Sequence, residues 1–494
     1  MVGSMRVAPA VTESDLPTGR MICTAHVESG QDRPMSGTAV GRDFLVPGFR
    51  DRSDGASREF GKGLRDSVSR TEHAWFEPPA RRPDVVRSVE QANVGRLEHL
   101  VPLRIGRMAA SPFAFLRGSA GLMAADLVAT PVTGLTGQIC GDAHAGNFGV
   151  FGTAEGRLVM DVNDFDETVQ GPWEWDLKRL VASLVVAGRV GGLDADACRA
   201  AAYDAAGAYR RTMAMLAKLP VLQAWHALND ETLVAHADAG ELSGLLAKVT
   251  AKARRNTSAR FAAKSTRRCS DGTWRFVPQP PVLTAVDDDV ARAVAGGLEA
   301  YSHTLSPERR PLLARFAIED VAFRVVGTGS VGTRAYVVLL LGNGDEPLVL
   351  QVKEARPSAL APYLPGGAAE HEGRRVVLGQ KWMQAGTDAL LGWTTIEGRP
   401  FMVRRFRNMK GSIDPSTLAA HEIDDYARMT GALLARAHSH SLDPKVLAGY
   451  CGKNDRLDYA MATFAIRYAD QTEADHGRLV AAVKSGRLPA ETGV

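Results

Sequence analysis

Cysteine is scarce in this sequence: Cys23, Cys140, Cys198, Cys269 and Cys451 are widely scattered, and no two form a CxxC pair. That scatter excludes a disulfide framework and a structural zinc site, and a reducing cytoplasm suits it best. Long apolar runs are also missing. YVVLLL is among the longest, far short of the ~20 residues a membrane-spanning helix needs. The opening MVGSMRVAPAVTESD has no sustained apolar core of the kind a signal peptide carries. A soluble cytoplasmic chain with no membrane partner is therefore expected. Charge of one sign is not in excess either: 59 basic and 56 acidic residues leave a formal +3, so the overall field points to neither nucleic acid nor a lipid surface. A phosphate-binding P-loop is lacking too. GASREFGKG at 55–63 puts five residues rather than four between Gly55 and Gly61, and Gly63 stands where Ser or Thr is required.

What is present begins at Cys140–Asp176, ICGDAHAGNFGVFGTAEGRLVMDVNDFDETVQGPWEWD. Asp142 and Asn147 lie five apart in a glycine-punctuated loop, and the apolar strand RLVMDV leads on to Asp164. One carboxylate to orient or deprotonate an attacking hydroxyl, with an amide and a second carboxylate to hold magnesium on nucleotide phosphates, is the division of labour in kinase-type phosphoryl transfer. Taken singly, GDAH reads as an ordinary Gly-Asp turn and NDFDE as a solvated acidic turn; it is their combination that favours chemistry. Asp161 should face away from Asp164, whereas Asp166 shares its face if the strand continues, as a further metal ligand or a turn residue. His144 either fixes the loop or touches substrate.

A second stretch, Val321–Lys353, carries Gly327, Gly329 and Gly332 as GxGxxG. The motif alone is weak, because dinucleotide-binding folds share it; there, however, a helix follows the glycines. Here Arg334–Leu341 and LVLQVK read as two strands joined by the turn GNGDEP. Glycine loop, hairpin and lysine form the kinase-type arrangement, in which Gly327, Gly329, Ser330 and Gly332 cover the ATP phosphates and Lys353 reaches them. Glu372, in EHEGRRVVLGQKWMQ, is the expected ion-pair partner of Lys353, with Glu370 as its rival.

GDAHAGN resembles the catalytic loop of the aminoglycoside and choline phosphotransferase branch of the protein-kinase-like superfamily, and DFDETVQGPWEWDL resembles that branch's metal-binding segment. RMAASPFAFLRGSA, ICGDAHAGNFG, NDFDET, GPWEWDLKRL, GTGSVGTRAYVVLL and LQVKEARPS together resemble the bacterial family called domain of unknown function 2252, over roughly Gly61 to Gly486. The resemblance implies an α+β, two-lobed, kinase-like fold with an unassigned substrate. It also implies that Asp176 bonds back to the catalytic loop, rather than merely capping the helix it starts. Cys140 departs from the phosphotransferase pattern, standing where a histidine precedes Gly-Asp.

In kinases the glycine loop precedes the catalytic aspartate. The reversed order here, and a helix YARMTGALLARAHSHS near the C-terminus where the helix before a catalytic loop is expected, indicate a circular permutation. The expected organisation is a flexible tail at 1–60, a helical large lobe at 61–310, a small β lobe at 311–410 and the rest of the large lobe at 411–494.

EWDLKRLVASLVVAG puts Leu177, Leu180, Val181 and Leu184 on one helical face. Arg117 reads as an arginine bracing the aspartates, with phosphate contact as its second role. The segment 248–268 holds eight lysines and arginines and no acid, a solvated basic face or a docking site for a polyanion. His438 and His440 have no metal-site partners at suitable spacing and read as helix-end residues. The function expected is ATP- and magnesium-dependent phosphoryl transfer to a hydroxyl of an unidentified small molecule or protein. A nucleotidyl transferase and a binding-only pseudokinase are the alternatives.

Overall fold

The helix Trp173–Val190 is buried along almost its whole length within the largest hydrophobic cluster among the described residues. Its stripe of Leu177, Leu180, Val181 and Leu184 is fully enclosed, as the periodicity predicts. The opposite face is enclosed as well, so Glu174, Asp176, Lys178 and Arg179 are buried charges, and each needs a partner to offset its lost hydration. Glu174 accepts from the Thr133 amide at 2.7 Å, while Lys178 lies 5.1 Å from the centre of the Phe464 ring. The helix starts at Trp173, so Asp176 sits inside its first turn.

The computed structural model describes residues 54–491, apart from 229–231, 326 and 367. They belong to the unit 44–494. The architecture is mixed α+β with antiparallel sheets. Around the central helix pack Ala195–Leu216, Ala420–Ser439 and Arg456–Lys484. The first two approach so closely that a Cβ on Gly431 would lie 2.1 Å from the Ala205 carbonyl oxygen. Among the described residues no helix is long and apolar enough to cross a membrane.

Two short strand pairs position the acidic loops. Thr136–Ile139 pairs with Val169–Pro172, Ile139 opposite Val169, and Phe148–Gly152 pairs with Leu158–Val162, Phe148 opposite Val162. The loop 140–147 leaves one pair and enters the other, and the loop 163–168 returns the opposite way. Both loops are thus clamped at both ends and run side by side, which brings GDAHAGN against NDFDE.

A six-stranded antiparallel sheet runs in the order Gly392–Ile396, Arg399–Arg405, Pro347–Glu354, Ala335–Leu341, Ala317–Arg324, Leu283–Ala285. Val338 and Leu340 pack with Leu298 and Tyr301 of the helix Asp288–Thr304, whereas Val337 and Leu339 pack with Ala262 of the helix Ser258–Ser265. Cover on both faces explains why YVVLLL is apolar throughout rather than alternating. The sheet and its covering helices start ahead of the boundary expected at 311, because short strands and amphipathic helices between 258 and 304 read as a continuation of the helical region.

The tail expected at 1–60 is corrected at its end. Asp54–Ser67 is a helix whose Gly61 abuts the Val446 backbone, where a Cβ would meet the carbonyl oxygen at 2.0 Å. Three glycines in that helix lower its intrinsic propensity, which hid it from the sequence. Residues 1–53 lie outside the described residues.

Candidate active site

The loop 140–147 is fixed from below by Asp176, whose carboxylate accepts from the Cys140 amide at 2.6 Å and the Gly141 amide at 2.9 Å. Gly141 is required there: its φ is +79°, and a Cβ would lie 2.3 Å from the Glu167 carbonyl oxygen. His438 touches the same carboxylate at 3.2 Å and is held in turn by the Tyr209 hydroxyl at 2.9 Å. His438 lies in the last turn of the helix Ala420–Ser439 and His440 caps it, helix-end residues as expected, and from that end His438 buttresses the loop. His440 accompanies it by bonding the Trp382 carbonyl at 2.8 Å and stacking on Trp225. The Cys140 Sγ donates to the Asp164 carbonyl at 3.2 Å, and burial pushes its thiol pKa well up, so this cysteine ties the two loops together as an inert thiol.

Asp142 accepts from the Arg179 Nε at 2.8 Å, and the Asn147 side-chain amide donates to the Asp142 carbonyl at 2.7 Å. Burial raises the Asp142 carboxyl above its ordinary value; Arg179 and Arg117 oppose that rise and Asp164 adds to it. His144 is buried, with Nε2 3.8 Å from the Asp142 carboxylate, too far for a hydrogen bond, and with Nδ1 unpartnered. Desolvation, Arg117 and Arg179 hold its ring neutral.

The strand Leu158–Val162 ends before the second acidic cluster, so Asp164 and Asp166 project from the returning loop. Asp161 points to the opposite side, where it pairs with Arg436 and accepts from the Ala385 amide at 2.9 Å. Lys353 pairs with Asp166, which also accepts from the Ser330 hydroxyl at 3.0 Å. Burial would raise the Asp166 carboxyl, but Lys353 and then Ser330 outweigh it and hold the group below its ordinary value. Asp166 is thus engaged by the lysine, which leaves Asp164 as the acid of this loop free for a cation.

The expected Lys353–Glu372 pair does not form. Glu372 binds Arg375 one turn along its own helix, a favoured i,i+3 pairing. Arg375 goes on to donate to the carbonyls of Thr168 at 2.6 Å and Asp166 at 2.8 Å. The helix Glu372–Met383 therefore braces the acidic loop through an arginine. Glu370, the rival, pairs with Arg374 at the surface.

Asp142, His144, Asn147, Asp164, Gly327, Gly329, Ser330 and Lys353 line one cavity of about 620 Å³. Gly332 does not line it. With φ +85° it is buried against the Arg96 side chain, and its carbonyl accepts from the Leu97 amide at 2.7 Å. Residues missed in the sequence complete the wall: Gln351, Arg404, Asn408 and Lys410. The run RRFRNMK, which ends the strand Arg399–Arg405 and continues into the following turn, was the available signal, a cation-rich stretch leaving the sheet. Arg404 is oriented by Gln351 at 3.1 Å. Lys410 is exposed, which blunts the downward pull of desolvation and of Arg404 on its ammonium. A second cavity of about 690 Å³ opens on the other side of the glycine loop and shares Arg117, Asp142, Asn147, Asp164 and Ser330 with the first.

Among the described residues no three His, Cys, Asp or Glu side chains converge to hold a metal unaided. Magnesium differs from zinc in this respect, since one or two protein oxygens plus substrate phosphates and water suffice. Asp164 with the Asn147 amide fits that donor set. The basic segment 248–268 stands at the surface, its eight cations exposed and without carboxylate partners among the described residues.

A family model described as an uncharacterized protein conserved in bacteria, domain of unknown function 2252, matches residues 96–482. No curated protein and no solved structure matches the chain.

Proposed function

The chain belongs to that bacterial family, and we propose that it is an ATP- and magnesium-dependent phosphotransferase with a kinase-like, circularly permuted fold. The observation that carries this reading is the convergence of Asp142, Asn147, Asp164 and Lys353 on one cavity bordered by Gly327, Gly329 and Ser330. A glycine loop, a strand lysine and two acidic loops are the parts that hold and transfer a terminal phosphate. The sheet carrying Lys353 corresponds in this reading to a small lobe inserted within a helical large lobe.

Asp142 has the chemistry of the acceptor-orienting base: a partly buried carboxylate with a raised pKa, fixed by Arg179 on one oxygen. The acceptor oxygen attacks the terminal phosphorus, the bond to the β-phosphate oxygen breaks with its electron pair leaving on ADP, and the hydroxyl proton passes to Asp142. Lys353 and Arg404 bind phosphate oxygens, and Asn147 and Asp164 hold magnesium. The metal supplies charge neutralisation on the phosphates. The acceptor is a hydroxyl-bearing small molecule or protein.

Mass spectrometry of products after incubation with ATP, magnesium and a metabolite extract tests the reading. Transfer of phosphate supports it. Transfer of a nucleotide would make the chain a nucleotidyl transferase, and binding without transfer a pseudokinase.

A further inference from the structure

The second cavity is walled in part by arginines that form no ion pair among the described residues. Arg104 is 2% exposed, donates to Asn93 Oδ1 at 2.9 Å and the Gly118 carbonyl at 2.8 Å, and has a buried Nε without a partner. Arg96 donates to the carbonyls of Ala92 at 3.0 Å and Val331 at 2.7 Å. Arg356 donates to those of Ala92 at 3.2 Å and Val94. All these acceptors are neutral, and none of the three arginines has a carboxylate partner among the described residues. Arg82 in the same wall differs, clasped between Asp126 and Asp475.

Apart from Asp164, which the phosphotransferase reading gives to magnesium, the acids lining this cavity are engaged by other groups. Asp166 takes Lys353, Asp142 takes Arg179, and Glu354 takes Arg334 at 3.2 Å and Arg399 at 3.6 Å. Glu167 accepts from the Ala359 amide at 2.5 Å, and burial raises its carboxyl toward the neutral form. Asp84, at the mouth, caps its own helix. Burial and neighbouring arginines depress two of these groups: Arg96 to about 10, through desolvation and then Arg356, against the pull of Glu167, Asp166 and Glu354, and Arg104 well below its ordinary value, through desolvation and then Arg96 and Arg356, against Glu167. A cluster of this kind is stabilised by a bound anion, and it disfavours a cationic guest.

We infer that the second cavity receives the acceptor and selects one bearing an anionic group, carboxylate or phosphate, which Arg96, Arg104 and Arg356 hold while its hydroxyl lies at Asp142. This rests on the phosphotransferase reading, because that reading puts the nucleotide in the first cavity and leaves the second, which also reaches Asp142, for the acceptor. Arg117 lines both cavities and stands where the transferred phosphate passes between them.

The test uses the full chain with magnesium and a non-hydrolysable ATP analogue to fill the first cavity, and titrates inorganic phosphate and citrate separately by calorimetry. Saturable binding of at least one is expected, weakened about tenfold in Arg96→Gln and in Arg356→Gln, as loss of one charge-assisted contact dictates. The surface variant Lys252→Gln should bind as the wild type does. Arg104→Lys, which keeps charge but not the forked geometry, serves if one glutamine variant does not fold. The anion that binds more tightly distinguishes phosphate from carboxylate. No saturable binding of either anion, or equal affinity in all the arginine variants, overturns the inference. In parallel, a metabolite extract is split on an anion exchanger and each fraction is offered with labelled ATP. Acceptor activity in the retained fraction is expected, and activity confined to the flow-through overturns the inference. Failure of the ATP analogue to bind would remove the phosphotransferase reading and with it the acceptor assignment, while the anion titrations still decide whether the cavity is an anion site.

Discussion

Lys353 and Asp166 meet side chain to side chain although 187 positions separate them in the sequence. Ser330 of the glycine loop joins the same carboxylate, so strand, loop and acidic turn are tied at one point. Asp166 is held below its ordinary 3.8 by Lys353, against burial. A depressed carboxylate contributes stability that is present above the unfolded value and is lost as pH falls through the folded one. The acid limb of the stability profile below 3.8 should therefore flatten in Asp166→Asn relative to the wild type. Thermal melts at stepped pH check this, and parallel acid limbs would refute it.

Asp142→Asn should reduce transfer by about a hundredfold to ten-thousandfold, the usual worth of a positioned base. Nucleotide affinity should stay near the wild-type value, because in the proposed pose this carboxylate meets the acceptor rather than the nucleotide. Single-turnover kinetics alongside nucleotide titration measures both. Retention of wild-type turnover would remove Asp142 from the mechanism.

Asp164→Ala should weaken magnesium-dependent ATP binding by roughly tenfold or more, since it removes the free acid of the returning loop. Binding of ATP without the metal should change little. Calorimetry with and without magnesium separates the two, and an equal affinity for magnesium-ATP in wild type and variant would place the metal elsewhere.

Short-range pattern made much of this arrangement legible. GDAHAGN, NDFDE and GTGSVG with its following lysine were readable because turn chemistry and strand alternation are local, and the two strand pairs then bring those segments together. Partnership across long separations was not. Lys353 met Asp166 rather than Glu372 because Glu372 has Arg375 within its own helix, a competition visible only once both are placed. Arg96, Arg104 and Arg356 come from separate segments with no shared motif, so their cluster had no signature in the sequence. The Asp54–Ser67 helix was hidden by its glycines, of which Gly61 is required by packing against the Val446 backbone.

The buttress beneath the catalytic loop yields a prediction about stability. Asp176 satisfies the amides of Cys140 and Gly141 from inside a buried helix, and His438, held by Tyr209, braces it from a helix near the C-terminus. Removing the carboxylate leaves the buried Cys140 amide and the half-buried Gly141 amide without acceptors, and a buried orphan costs about 1–3 kcal/mol. Asp176→Ala should therefore lower the unfolding free energy by roughly 3 kcal/mol or more, while Asp176→Asn, which keeps one oxygen, should lose about half as much. Because the strand pairs clamp the loop at both ends, local loosening at Gly141 should also appear as faster amide exchange across 140–147 before global unfolding. Denaturant titration with hydrogen exchange reads both effects. Equal stability of Asp176→Ala and wild type would mean that the strand pairs alone hold the loop.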